Sequence, residues 1–151
     1  MSTARRTVDD LLREAREQIA PRLGPEDARR AVEGGALLVD VRSSDVRARA
    51  GVIPGSIHIP LAVLEWRLDP DSEFCNPAAS DPEREVVLFC SQGYVSSLAA
   101  ASLRRIGYEH ATDLDGGFEA WKDAGLPVRP APPNDRDDEL PGMRPPDPIA
   151  P

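Results

Sequence analysis

Val86-Val87-Leu88-Phe89-Cys90-Ser91-Gln92-Gly93-Tyr94-Val95-Ser96-Ser97 reads as an apolar strand that ends on a cysteine, a short loop with one glycine, and a helix start. Ser96-Ser97 opens the apolar helical run Leu98–Leu103. A cysteine at this junction points at the exposed amide N–H groups of the loop and of the first helical turn. Those donors and the helix dipole favour negative charge, so the thiol is expected to ionise more readily than a free one. Cys90 is therefore the candidate nucleophile.

Working outward, strands alternate with helices. Ala36-Leu37-Leu38-Val39 is a buried-strand run ending at Asp40, Ile57-His58-Ile59 a short strand before Pro60, and Ala111–Leu114 another. Helices are expected over Pro25–Val32, which Gly34-Gly35 terminates, and over Leu61–Leu68, Leu98–Ile106 and Gly117–Ala124. Asp69–Arg84, rich in Pro, Asp, Ser and Asn, reads as a loop. This alternation predicts an α/β fold with a mostly parallel sheet covered on both faces. Ligands of such sheets sit beyond the carboxyl ends of the strands, where Cys90 and Asp40-Val41-Arg42 both fall.

Two segments flank this core. Thr7 caps a helix with acidic residues in its first turn, and Val8, Leu11, Leu12, Ala15 and Ile19 recur at helical spacing until Pro21. Residues 1–21 are thus an amphipathic extension, read as a helix packed on the domain, with a partner-binding element as the alternative. From Arg129 to Pro151 prolines lie among charged and small residues, too few of them apolar to offset the entropy of ordering, so a disordered tail is expected.

At 151 residues the chain has room for one domain with a real core. Its formal net charge of -8 argues against a nucleic-acid partner, because phosphate binding needs a basic surface. No apolar run is long enough to span a membrane and no signal-peptide segment follows the start, so the cytoplasm is the expected compartment. Cys75 and Cys90 fit a reducing environment rather than a disulfide framework.

Three motifs give a resemblance. The cysteine loop is one. Asp40-Val41-Arg42 with Gly51-Val52-Ile53-Pro54-Gly55-Ser56 is the second, and Leu114-Asp115-Gly116-Gly117-Phe118-Glu119-Ala120-Trp121 closing on Gly125-Leu126-Pro127-Val128 is the third. In this order and spacing they resemble the rhodanese-like single-domain sulfurtransferase family over residues 22–128. The resemblance implies the rhodanese-like three-layer fold and sulfur transfer through a Cys90 persulfide, with no metal or organic cofactor. The donor would be a small sulfur-containing anion such as thiosulfate, or a polysulfide or persulfide, and the acceptor a thiol or a cyanide-like nucleophile. The amides of Ser91, Gln92, Gly93, Tyr94, Val95 and Ser96 would form an anion cradle, and Ser96 and Ser97 would add hydroxyl donors and cap the helix. A cysteine at a buried strand end is by itself a small apolar side chain; the two flanking signatures make a solvent-facing loop cysteine the expectation.

The departures from the family pattern bear on chemistry. Where the common sulfurtransferase loop carries an arginine this chain has Val95, and no residue from Ser91 to Ser97 is basic. The loss is worth about 1 kcal/mol for a partly exposed charge and falls hardest on a doubly charged donor such as thiosulfate. Val52 in place of the family's histidine is expected to be neutral. Arg67 is a candidate to supply the missing charge at the pocket rim with Trp66 as a wall, the plain alternative being a surface arginine and a half-buried tryptophan. Asp40 and Arg42 also belong near the rim, more as a local ion pair than as catalysts. Cys75 matches no family position, and His58 and His110 lack metal-type spacing.

Three other readings compete with sulfur transfer. A noncatalytic rhodanese-like module that binds or regulates a protein partner is the alternative that Val95 keeps open. A cysteine phosphatase needs a loop arginine that the chain lacks. A thiol-disulfide oxidoreductase would need Cys-x-x-Cys, and Cys90 is followed by Ser-Gln-Gly.

Overall fold

A computed structural model describes residues 4–133. The expectation of disorder over most of the Pro-rich tail, from residue 134 onward, lies outside the described residues.

Four strands, β1 (Leu37–Asp40), β2 (Ser56–His58), β3 (Val86–Phe89) and β4 (Ala111–Asp113), form one parallel sheet in the order β2-β1-β3-β4. Val39 stands opposite Ile57 on one side and Leu88 on the other, and Leu88 opposite Asp113. Every strand residue is buried, as a sheet covered on both faces requires. Alternation then sorts the side chains. Leu37, Val39, Val41, Val86, Leu88 and Cys90 enter one core with α1 (Val8–Ile19), α4 (Leu64–Leu68) and α5 (Val95–Arg105). Leu38, Val87 and Phe89 enter the other with α2 (Pro25–Glu33) and α6 (Gly117–Asp123). The result is the three-layer α/β arrangement expected from the sequence.

Helix α1 is built onto this frame. Thr7 accepts from the Asp10 amide while the Asp10 carboxylate accepts from the Thr7 amide, a reciprocal capping box. Ala15 and Ile19 are buried against α5 and β4. Thr112 of β4 donates its hydroxyl to the Ile19 and Pro21 carbonyls, and Leu23 bridges to Leu114.

The structure corrects the sequence reading at four places. A helix α3 (Ser44–Ala50) follows β1 and was not anticipated; Ser43 caps it by accepting from the Val46 amide. Residues Leu61–Val63 form a tight 3-10 turn ahead of α4 rather than one continuous helix. Helix α5 starts at Val95, with Tyr94 as a cap that offers no side-chain bond, so neither Ser96 nor Ser97 caps it. The tail begins later than Arg129, because Arg129 pairs antiparallel with Val52 through N–H···O bonds of 2.7 and 2.9 Å.

Candidate active site

The loop after β3 takes its shape from what its carbonyls find behind it. The first amides of α6 take two of them: Phe118 N–H donates to Cys90 O (2.8 Å) and Glu119 N–H to Ser91 O (3.0 Å). Gly117 sits so close that a Cβ there would come within 2.6 Å of Cys90 O, and its φ of 64° is left-handed. The Gly93 carbonyl accepts from Arg16 Nη2 (2.9 Å) and Arg22 Nη2 (3.0 Å). In a trans peptide the next residue's N–H points opposite to the carbonyl. The N–H groups of Ser91, Gln92 and Tyr94 are therefore turned away from α6 and the two guanidinia. Gly93, at φ 86°, aims its own N–H at Cys90 Sγ, 3.2 Å away.

Cys90 lines a cavity of about 690 Å3 together with Val41, Arg42, Val46, Leu61, Tyr94 and Val95 among others. Cys90 is only 6% exposed. The expectation of a solvent-facing cysteine is thus corrected: strand alternation carries the side chain into the α5 core layer, and the cavity reaches it there. Its Sγ–H donates to Ser96 Oγ at 3.3 Å, and Ser96 in turn donates to Asp113 Oδ2 at 2.7 Å.

Asp113, fully buried at the end of β4, is the hub behind the loop. It accepts from Ser96 and from Ser97 (2.8 Å), and from Arg22 Nε (2.8 Å) and Nη2 (3.2 Å). Burial works against the Arg22 guanidinium, but the hydrogen bond and charge of Asp113, with Asp115 and Cys90 adding to them, raise it above its ordinary value. Arg16 reaches the same loop from α1, donating through Nε to Ser97 Oγ (3.2 Å) and lying 5.7 Å from the centre of the Tyr94 ring. Sequence reasoning missed Arg16, Arg22 and Asp113. Arg16 and Arg22 stand more than seventy positions upstream of Gly93 (separations 77 and 71), and no local pattern marks them.

Asp40 and Arg42 form the expected ion pair. Arg42 donates Nε and Nη2 to the Asp40 carboxylate at 2.9 and 2.8 Å, and Arg47 adds Nη1 at 2.7 Å. Arg42 also bonds Gly51 O and lies over the Phe118 ring at 4.3 Å. It borders the cavity; Asp40 is sealed beneath.

The placement of Arg67 and Trp66 at the rim is corrected. Arg67 is 3% exposed and directs Nη1 to the Phe74 carbonyl, while its own carbonyl accepts from the Asn76 amide. It anchors the 69–84 loop against α4. Trp66 is half exposed, and neither residue lines the cavity. Cys75 lies in that loop, also outside the cavity. Among the described residues no His, Cys, Asp and Glu cluster could hold a metal, and no helix is long and apolar enough to cross a membrane.

Comparison with known proteins gives concordant matches. The family described as the rhodanese-like domain matches residues 24–124. The thiosulfate sulfurtransferase GlpE of Pseudomonas paraeruginosa is 38% identical over 101 residues, which cover 67% of this chain and 83% of GlpE. The human single-domain sulfurtransferase TSTD1 superposes with a TM-score of 0.59 at 32% identity, covering 69% of this chain and 96% of that one. A Rhodopseudomonas palustris protein of unknown function, described as a possible tyrosine phosphatase, superposes with a TM-score of 0.76 at 32% identity over 85% of this chain and 98% of its own.

Proposed function

This chain belongs to the rhodanese-like domain family, and on that premise we propose that it is a sulfurtransferase that carries sulfane sulfur on Cys90. The observation that supports this most is the sulfur itself. It belongs to a residue that lines the cavity and accepts the Gly93 N–H, in a loop whose Cys90, Ser91 and Gly93 carbonyls are held by α6, Arg16 and Arg22.

The Cys90 thiolate attacks the outer sulfur of a donor R–S–S⁻. A bond forms from Sγ to that sulfur, the donor's S–S bond breaks, and RS⁻ leaves with the electron pair. The proton released when Cys90 ionises goes to solvent or to RS⁻. An acceptor then reverses the exchange: cyanide takes the terminal sulfur of Cys90–S–S⁻ as thiocyanate and restores the thiolate. The attacking thiolate and the persulfide that it forms are both anions, and inward-facing amides at the loop stabilise both without reorganising. No step calls for a cofactor.

The lining also bears on the donor. Its one arginine, Arg42, pairs its charge with Asp40 through Nε and Nη2 and bonds Gly51 O, leaving a buried Nη1 without a hydrogen-bond partner, and the rest of the wall is largely Val, Leu, Pro, Ala and Tyr. A persulfide or polysulfide, with one charge on an apolar body, suits this wall better than the dianion thiosulfate. A phosphatase reading of the pocket fails on the same ground, since residues 91–97 offer no guanidinium to a phosphate.

The test is intact mass after incubating the reduced chain with a polysulfide and, separately, with thiosulfate. A one-sulfur adduct is expected from the polysulfide, removed by cyanide, kept in Cys75→Ser and lost in Cys90→Ser. No adduct from either donor, on folded protein whose Cys90 still alkylates, would favour the binding-module reading.

A further inference from the structure

Cationic help for the reacting sulfur is missing from residues 91–97, yet two guanidinia meet on the carbonyl of Gly93. They differ in what else they hold. Arg22 pairs with Asp113 at 2.8 Å and with Asp115 at 3.1 Å, so its charge is largely offset. Arg16 has no carboxylate partner among the described residues. Its side-chain hydrogen bonds and ring contact go to the loop and the first turn of α5: Gly93 O at 2.9 Å, Ser97 Oγ at 3.2 Å and the Tyr94 ring at 5.7 Å. It stands on α1, outside the family match at 24–124.

We propose that Arg16 is a positioning residue for Cys90: from the N-terminal extension it clamps the Gly93–Tyr94 end of the loop and the first turn of α5 from behind, and supplies the positive charge that the loop itself lacks. The proposal rests on the sulfur-transfer reading of Cys90. Gly93 is the link. Its N–H bonds the sulfur and its carbonyl bonds the guanidinium, so the two ends of one glycine join charge to nucleophile. Pulling on that carbonyl also polarises the Gly93–Tyr94 peptide and strengthens the Tyr94 N–H as a donor. A planar fork that bonds a carbonyl and a hydroxyl at once fixes the loop's angle as a single-point ammonium does not.

A guanidinium behind the loop differs in effect from one inside the pocket. It favours negative charge on the sulfur, in thiolate and persulfide alike, without giving the donor's outer oxygens anything to bind. It therefore serves a persulfide donor fully and thiosulfate only in part. The amphipathic extension, on this view, belongs to the site.

The experiment compares alkylation of Cys90 by iodoacetamide, which is neutral, and iodoacetate, which is an anion, in a full-length Cys75→Ser background. Arg16→Met is expected to slow iodoacetate roughly three- to tenfold, the scale of one screened charge near the sulfur, and to slow iodoacetamide less. Arg16→Lys should recover most of the iodoacetate rate, and persulfide-transfer kcat/KM should follow the same order. Rates within twofold of the parent with both reagents in a folded Arg16→Met chain, or no recovery in Arg16→Lys, would overturn the proposal, since the thiolate is the species that both reagents trap. The unaltered chain gives a second reading that needs no variant to fold. Its iodoacetate-to-iodoacetamide ratio should fall as salt is raised, and a ratio that stays flat or rises would also overturn it. Alkylation needs no sulfur donor, so a chain that shows the charge effect but forms no persulfide counts against sulfur transfer and not against the clamp.

Discussion

Val95 concentrates the chemistry of the site in one substitution. It is 37% exposed on the cavity wall at the first position of α5, beside Tyr94 and one residue from Ser96, which bonds the sulfur. An arginine there has open space to enter, and its guanidinium would face the donor instead of the back of the loop. Val95→Arg is expected to raise thiosulfate:cyanide activity roughly tenfold in kcat/KM, since a charge-assisted contact to a dianion contributes about 1–2 kcal/mol at a partly exposed site. Transfer from a persulfide should change much less. Thiocyanate formation from the two donors measures this, and an equal change with both would show that the missing loop arginine does not set donor preference. At the same scale, Asp113 accepts four hydrogen bonds, two from serines and two from Arg22, where a neutral residue could not hold the guanidinium.

Elements divide into those that sequence announces locally and those that only packing creates. Thr7 and Asp10 announce α1 within one turn, and the runs Leu37–Val39 and Val86–Phe89 announce buried strands by composition alone. The cysteine loop, Asp40 with Arg42, and Gly116-Gly117 were legible because each motif is contiguous. Helix α3 was not, although Ser43 and Asp45 form an ordinary start signal; seven residues with a buried Arg47 and no apolar stripe leave little periodicity to read. In sequence Arg67, at the end of the Leu61–Leu68 run, is a candidate for donor charge at the pocket rim, with a surface arginine as the alternative. Instead its side chain turns to Phe74, and charge arrives from α1 through the packing of α1 on α5. That packing can be tested at Ile19, which is fully buried in the α1–α5 core. Ile19→Ala is expected to cost about 2–4 kcal/mol in unfolding free energy by urea denaturation. A cost below about 1 kcal/mol would mean that α1 is held loosely and cannot fix Arg16.

For the molecule as a whole, stability at high pH converges on Tyr108. The residue is fully buried just past α5, and its hydroxyl donates to the Leu68 carbonyl at the end of α4, so it ties two helices of one core layer. Burial first, and then the nearby charges of Asp81, Asp69 and Cys75, push its ionisation up from 10.0 to about 12. The sign follows from linkage. Below pH 10 the tyrosine is protonated in both states and contributes its full share. Between 10 and 12 the unfolded chain releases the proton while the folded chain keeps it, so stability falls as pH rises through this window. Tyr108→Phe removes that slope. At pH 7 the variant should be less stable by about 1 kcal/mol, because Leu68 O loses its donor inside the core. The deficit should shrink steadily above pH 10, where only the parent has a proton to lose at this position. Thermal midpoints of parent and variant at pH 7, 10 and 11.5 decide it: parallel curves would show that Tyr108 ionises as freely in the fold as outside it.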